Sequence, residues 1–253
     1  AILGEPEGQF NSAYERMTAD DSGCTLIVCP LGVLKKWHSE FARHVRPEVL
    51  RVEIYHGVGR HEMLDRLHNI DVVITTYSTL SLDFRMMELE ETDNVKKRRA
   101  AFSQAAVSVQ ATNMPSFDDQ LDARDIRSII RRQLFGVPFH RIILDEAHTI
   151  RTQTSSVFKS CHALLATHRW CLTGTPLVNS ADDIYALLRF LRVQPYAGEG
   201  EDDDGDHLWR TTISKPVKNG RPIGLTRLRT LLATISIRRT KSLLIDGFPA
   251  EEG

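Results

Sequence analysis

Short apolar runs alternating with amphipathic helical stretches predict an α/β fold: a mainly parallel sheet with helices on both faces. Three observations carry that expectation. Cys24–Cys29 (CTLIVC), Asp71–Thr76 (DVVITT) and Arg141–Asp145 (RIILD) are short, apolar and largely β-branched, as buried strands are. Between such runs, apolar residues recur at three- and four-residue steps, as in Leu34, Trp37, Phe41 and Val45. Each run also ends in small or reactive residues: Pro30-Leu31, Thr75-Thr76-Tyr77, Asp145-Glu146 and Thr173-Gly174-Thr175. Functional groups of parallel sheets gather at the carboxyl ends of their strands.

The elements follow in order. A polar, turn-rich start (Gly4–Ser22) leads into the strand Cys24–Cys29, bounded by Gly23 and Pro30. The helix over Leu34–Val45 keeps Lys35, Lys36 and Glu40 off its apolar stripe. Arg51–Tyr55 reads as a strand closed by His56-Gly57, Glu62–Leu67 as a helix, and Asp71–Thr76 as a buried strand. The strand ending in Asp145 precedes a helix through Val157, Cys161 and Leu164, a strand at Trp170–Thr173, and a helix over Ile184, Leu187, Leu188 and Leu191. Two segments break the rhythm. Asp83–Gln133, with basic runs Lys96–Arg99 and Arg124–Arg132, is expected to be an inserted, largely helical or mobile excursion. Gly198–Asp206 (GEGEDDDGD) is expected to be a solvated acidic loop.

The 253 residues suffice for one large α/β domain or two small ones. With 42% hydrophobic and 26% charged residues, the composition is that of an ordinary globular protein. A net charge of −1 supplies no overall field for a polyanion, so any such binding must use a local patch. Cys24, Cys29, Cys161 and Cys171 lack C-x-x-C spacing and read as buried, reduced thiols rather than a zinc site. No apolar run approaches the roughly 18–20 residues of a membrane span, and no signal-peptide pattern is present, so no membrane partner is expected. Because the sequence starts at Ala1 and stops in a polar stretch, it reads as a piece of something longer.

The chemistry centres on Asp145 and Glu146. A rigid strand tip delivers two adjacent carboxylates to one place, where one can hold Mg²⁺ through water and the other can orient a water toward a γ-phosphate. The competing reading is a helix N-terminus, where acids cap amides and complement the dipole. The flanking strand pattern and the following TGTP segment weigh against it. Glu146 and His148 cannot form a metalloprotease pair, because H-E-x-x-H is absent. Trp37, Phe41 and Trp170 read as core. Lys35-Lys36 are either a solvated helix face or a phosphate contact, and Arg238-Arg239-Lys241 a polyanion contact, a nuclear signal or a structural brace.

Five segments together resemble one family: TLIVCPLGVLKKW (25–37), DVVITTYSTL (71–80), RIILDEAHTIR (141–151), WCLTGTPLVN (170–179) and IRRTK (237–241). Their order and spacing are similar to the first RecA-like lobe of Swi/Snf-type ATPases of helicase superfamily two. The subgroup of Rad-type repair translocases and helicase-like transcription factors is the most similar. The resemblance implies a RecA-like three-layer αβα lobe of P-loop NTPase type over residues 1–253, truncated at both ends. It also implies a DNA-dependent ATPase using ATP and Mg²⁺, moving on double-stranded DNA or nucleosomes in the nucleus, and completed by a second RecA-like lobe outside this chain. Carried over by position, Asp145 would help bind Mg²⁺, Glu146 would polarise the hydrolytic water, and His148 would sense nucleotide. Thr173, Gly174 and Thr175 would couple hydrolysis to lobe movement. Pro30, Leu31, Lys35, Lys36, Thr75, Thr76 and Asn179 would approach the DNA backbone, and Arg238 and Arg239 would lead toward the second lobe.

One departure from the family pattern stands out. No glycine is followed by lysine, so the phosphate-wrapping G-x-x-x-x-G-K-[ST] motif is absent. In the family it lies shortly before the CPL segment, and Ala1–Gly4 reads as the end of the helix that follows such a loop. Either the chain is an excerpt of a complete translocase, or the protein is a pseudo-ATPase that keeps the fold as a binding module. On both readings these residues alone are expected not to turn over ATP.

Overall fold

The computed structural model describes residues 2–4, 23–89, 134–177, 180–198 and 204–238. They build a seven-stranded sheet. Its strands are β1 (Ile2–Gly4), β2 (Thr25–Cys29), β3 (Val52–Tyr55), β4 (Val72–Thr76), β5 (Pro138–Asp145), β6 (Leu165–Leu172) and β7 (Ser236–Ile237). The order across the sheet is β3-β4-β2-β5-β6-β1-β7. The five central strands run parallel, and the short β1 and β7 close one edge antiparallel. This is the α/β architecture that the apolar runs predict.

Register brings the strand ends into one row. Cys29 pairs with Thr76, Val28 with Leu144 just before Asp145, and Asp145 with Leu172. β4 is buried throughout and β2 nearly so, because helices cover both faces there. On one face, α1 (Leu31–His44) packs Leu34, with Trp37 and Phe41 beside it, onto Ile27, Cys29, Val72 and Ile74. The other face carries the larger core. There α2 (helical over residues 77–89), α3 (Ser156–His162) and α4 (Ala181–Leu191) cover Leu26, Val28, Val73, Ile142, Leu144 and Cys171. α4 starts with a capping box, Ser180 and Asp183 each satisfying a backbone amide of the other's end of the turn.

The chain then adds α5 (Asp204–Trp209), a π-helical turn (Arg210–Ser214), α6 (Lys215–Lys218) and α7 (Pro222–Ile235). Trp209 anchors this segment. Its ring stacks on Tyr185 at 5.2 Å, and its Nε1 donates to Asp182 Oδ1 at 3.1 Å.

Several expectations need correction. Ile2–Gly4 are not the end of a helix. They pair as β1 with Leu172, Cys171 and Trp170, where the exposed edge of β6 offers a strand-sized row of backbone groups. The segment expected as a helix at Glu62–Leu67 is a 3-10 helix over Arg60–Asn69. β6 begins at Leu165, five residues before the expected strand, because polar His168 and Arg169 mask a continuous pairing with β5. The charged excursion starts later than Asp83. Residues 83–89 continue α2, with Asp83 and Phe84 buried, and the runs at 96–99 and 124–132 lie outside the described residues. The acidic loop is also shorter than expected, since Asp204–Asp206 open α5. Gly205 is buried there, and a Cβ at that position would meet the Tyr196 carbonyl oxygen at 2.7 Å, so only glycine fits.

Candidate active site

Asp145 is the last residue of β5, and Glu146 leaves the sheet in the left-handed conformation at φ 50, ψ 51. That backbone is costly for a residue with a side chain, and such strain persists where the surroundings over-determine it. Here the Glu146 carbonyl accepts from both the amide of Thr149, at 3.0 Å, and its hydroxyl, at 2.7 Å. The resulting 3-10 turn, Ala147–Ile150, buries Ala147 and Ile150 and leaves the Glu146 side chain about half exposed. Asp145 ends the strand, and Glu146, although it occupies the N-cap position of this short turn, makes no side-chain capping bond, so neither carboxylate serves as a helix cap there.

Asp145 is held from three directions. Its Oδ1 accepts from the Glu146 amide at 3.0 Å, its Oδ2 from Trp37 Nε1 at 2.8 Å, and its main-chain oxygen from the Tyr77 hydroxyl at 2.8 Å. Cys29, at the neighbouring strand end, has its thiol pushed up to about 12, by burial and then by the Asp145 charge. That thiol stays neutral, so the charge at this rim belongs to the two acids. Each carboxylate keeps lone pairs free, and such hard oxygen donors suit Mg²⁺. Among the described residues no cluster of three or more His, Cys, Asp or Glu could hold a metal unaided. A cation here would need oxygen ligands from a nucleotide and water, which is the usual situation for Mg²⁺.

His148 stands between the acid pair and the next strand. Its Nδ1 lies 3.3 Å from Glu146 Oε2 and 3.4 Å from Thr173 Oγ1. Thr173 is buried just beyond β6, and its hydroxyl accepts from the Thr175 amide at 3.1 Å, which shapes the turn in which Gly174 and Thr175 are exposed. The structure therefore joins Glu146, His148 and Thr173 into one chain of contacts.

The residues expected at the DNA backbone divide. Pro30 is the N-cap of α1, and Leu31, Lys35 and Lys36 are exposed on that helix. Thr75 and Thr76 do not fit that role through their side chains. Both are buried, the Thr75 hydroxyl donating to the Tyr55 carbonyl at 2.8 Å and Thr76 Oγ1 lying 2.8 Å from Thr79 Oγ1. A strand tip filled by its own chain has no hydroxyl left for a phosphate. Arg238 is exposed, whereas Asn179 and Arg239 lie outside the described residues.

Three side chains were overlooked in the sequence. Trp37, read as core, and Tyr77, left without a role, both donate to Asp145. The available signal was chemical: a buried Trp N–H or Tyr O–H almost always finds a partner. Asp83, read as the start of a charged, largely helical or mobile insertion, is buried against Arg60, Tyr55 and His61. Its spacing from Leu80 and Phe84 placed it on the apolar stripe of α2.

Comparisons with known proteins agree with this architecture. The chain is 32% identical over 228 residues to the DNA repair protein RAD5A of Arabidopsis thaliana, covering 90% of this chain and 18% of that sequence. It is 31% identical to the helicase-like transcription factor of Mus musculus, covering 93% of this chain and 19% of that one. The chain thus spans about a fifth of the length of these relatives. Its fold matches the Sulfolobus solfataricus SWI2/SNF2 ATPase core, solved in complex with double-stranded DNA, at a TM-score of 0.56 and 22% identity. That match covers 90% of this chain and 36% of the archaeal one. The model of the SNF2-related domain matches residues 10–252. The chain belongs to the SNF2-related domain family.

Proposed function

We propose that this chain supplies the first RecA-like lobe of an ATP-driven translocase on double-stranded DNA, acting in the nucleus in chromatin remodelling or DNA repair. The observation that supports it most is the placement of Asp145 and Glu146 together at the open rim of the parallel sheet, linked through His148 to Thr173. The relatives named for DNA repair, and the structural neighbour solved on duplex DNA, point the same way.

Mg²⁺, when bound with ATP, supplies neutralisation of the phosphate charge. Asp145, clamped by Trp37 and Tyr77, offers it a fixed carboxylate. Glu146 extends from the strained turn to orient the attacking water. His148 carries the state of Glu146 to Thr173 and the exposed Gly174–Thr175 turn, which faces the second lobe. Pro30, Leu31, Lys35 and Lys36 at the start of α1 approach the DNA backbone, a contact that carries position without sequence information. Arg238, and Arg239 after it, lead toward the second lobe.

One observation favours the other reading, a non-catalytic binding module: the chain contains no G-K-[ST] sequence. Residues 1–253 alone are for that reason expected to be inactive. The test is phosphate release by the protein expressed from its complete coding sequence, with and without duplex DNA. DNA-stimulated hydrolysis that Glu146→Gln lowers about 10²–10⁴-fold, the range for loss of a general base, supports the motor. No hydrolysis in the wild-type protein, with DNA binding intact, supports the binding module.

A further inference from the structure

Two aromatic donors, 40 residues apart in sequence, converge on Asp145 from opposite faces of the sheet. Trp37 lies on the second turn of α1, packed with the smaller core, and its Nε1 reaches Asp145 Oδ2 at 2.8 Å. Tyr77 opens α2, is buried in the larger core, and its hydroxyl reaches the Asp145 carbonyl at 2.8 Å. Each belongs to the segment that follows a neighbouring strand: α1 follows β2, and α2 follows β4. At position 77 a phenylalanine keeps the ring and loses only the hydroxyl, and at position 37 it keeps an aromatic ring beside Phe41, whose centroid lies 6.2 Å from that of Trp37.

We propose that Trp37 and Tyr77 are positioning residues that register α1 and α2 to Asp145, so that a duplex seated on α1 sets the carboxylate's readiness for Mg²⁺·ATP. This rests on the nucleotide reading given above. The physical basis is the geometry of the carboxylate. A donor to a charged oxygen makes a stronger bond than a neutral pair does. With the Glu146 amide on Oδ1 and Trp37 on Oδ2, two donors fix the plane of the group, and its remaining lone pairs point to one place. The Tyr77 bond holds the backbone from which that plane is measured.

The link has a direction that can be read from exposure. On α1 the first turn presents Leu31, and the next presents Lys35 and Lys36, all exposed, while Trp37 turns inward toward the sheet. A phosphate backbone bound at Lys35 and Lys36 therefore acts on the same helical turn that carries the Asp145 donor. Coupling of this kind is reciprocal: if the duplex favours the aligned carboxylate, it tightens Mg²⁺·nucleotide, and the nucleotide tightens the duplex by the same factor.

The experiment uses the protein from its complete coding sequence, with Tyr77→Phe, which deletes only the donating O–H, and Trp37→Phe, which deletes the N–H together with part of the indole ring. The reading is the Mg²⁺ concentration for half-maximal binding of a fluorescent N-methylanthraniloyl ATP, with and without a blunt duplex. The wild-type protein is expected to need less Mg²⁺ when duplex is present. Trp37→Phe is expected to raise the Mg²⁺ requirement about tenfold, the lower end for loss of an outer-shell partner. It should also abolish the duplex effect, and excess Mg²⁺ should restore hydrolysis. Tyr77→Phe should shift the requirement in the same direction. The inference is overturned if both variants keep the wild-type Mg²⁺ requirement with and without duplex. It is equally overturned if Trp37→Phe loses activity that no Mg²⁺ concentration restores, which marks a packing defect. A wild-type protein that binds no nucleotide at any Mg²⁺ concentration would instead sink the nucleotide reading itself.

Discussion

β4 and β5 end at the same rim of the sheet, separated only by β2, yet their tips are opposite in character. The β4 tip is a pair of threonines, Thr75 and Thr76, fully buried and bonded to Tyr55 and Thr79. The β5 tip is a pair of acids, half-buried Asp145 and exposed Glu146, the latter on strained backbone. One tip satisfies its polar atoms within the chain, and the other keeps carboxylate lone pairs open to the outside. A position at the carboxyl end of a parallel strand nominates a residue, but unsatisfied chemistry at that position is what marks it as a candidate for function.

The buried network behind β4 offers the largest effect on that contrast. Asp83 carries a charge at almost complete burial, with the Arg60 guanidinium and the Tyr55 hydroxyl on its oxygens. Arg60 in turn donates to the Gly57 carbonyl at 2.8 Å, tying down a loop that needs positive φ at Gly57 and Gly59. Asp83→Asn keeps the volume and removes the charge. It should destabilise the chain by about 3 kcal/mol in urea denaturation, as expected when one partner of a buried pair is lost. A loss comparable to that of a surface substitution would mean that the network is ornamental.

Thr75→Val probes the filled tip directly. Losing the bond to the Tyr55 carbonyl should cost about 1 kcal/mol of stability. DNA affinity of the complete protein, and its dependence on salt, should be unaltered. Lys35→Ala and Lys36→Ala should do the reverse, leaving stability unchanged and each reducing the salt slope of DNA binding by about 1. A change in salt slope with Thr75→Val would return that hydroxyl to the DNA track.

The smallest effect is a pH dependence away from the rim. Burial raises the Asp182 carboxyl, but bonds from Lys218, Ser214 and Trp209 outweigh it and hold the group below its ordinary value. A lowered folded value means that the stabilisation is present above about pH 4 and is lost as pH falls through that lower value. The pair is largely exposed, so the contribution stays under about 1 kcal/mol. Asp182→Asn should lower stability at neutral pH and match the wild type once both are acidified. A difference that persists in acid would assign the effect to packing of Trp209 instead.

The parallel strands were legible because β2, β4 and the end of β5 are short apolar runs that end in reactive residues. The placement of the acid pair and Thr173 was legible for the same reason, since register converts neighbouring strand ends into neighbouring side chains, whereas His148 was expected only from the DEAH tetrapeptide. What escaped had long-range causes. Trp37 meets Asp145 across 108 positions, and nothing local distinguishes that tryptophan from one that only packs. Asp83 looked like the start of a charged stretch, and only the guanidinium of Arg60 explains its burial. β1 takes its form from the edge of β6, a partner about two thirds of the chain away.

The most direct measurement places a paramagnetic reporter at the proposed cation position. Mn²⁺ can substitute for Mg²⁺ in the complete protein with ATP, and electron paramagnetic resonance counts the bound ion. Asp145→Asn should weaken nucleotide-dependent Mn²⁺ binding at least about tenfold, and Thr75→Val, one strand away, should leave it unchanged. Equal Mn²⁺ affinity in the wild-type and Asp145→Asn proteins would contradict the assignment of the β5 tip as the cation-holding end of the site.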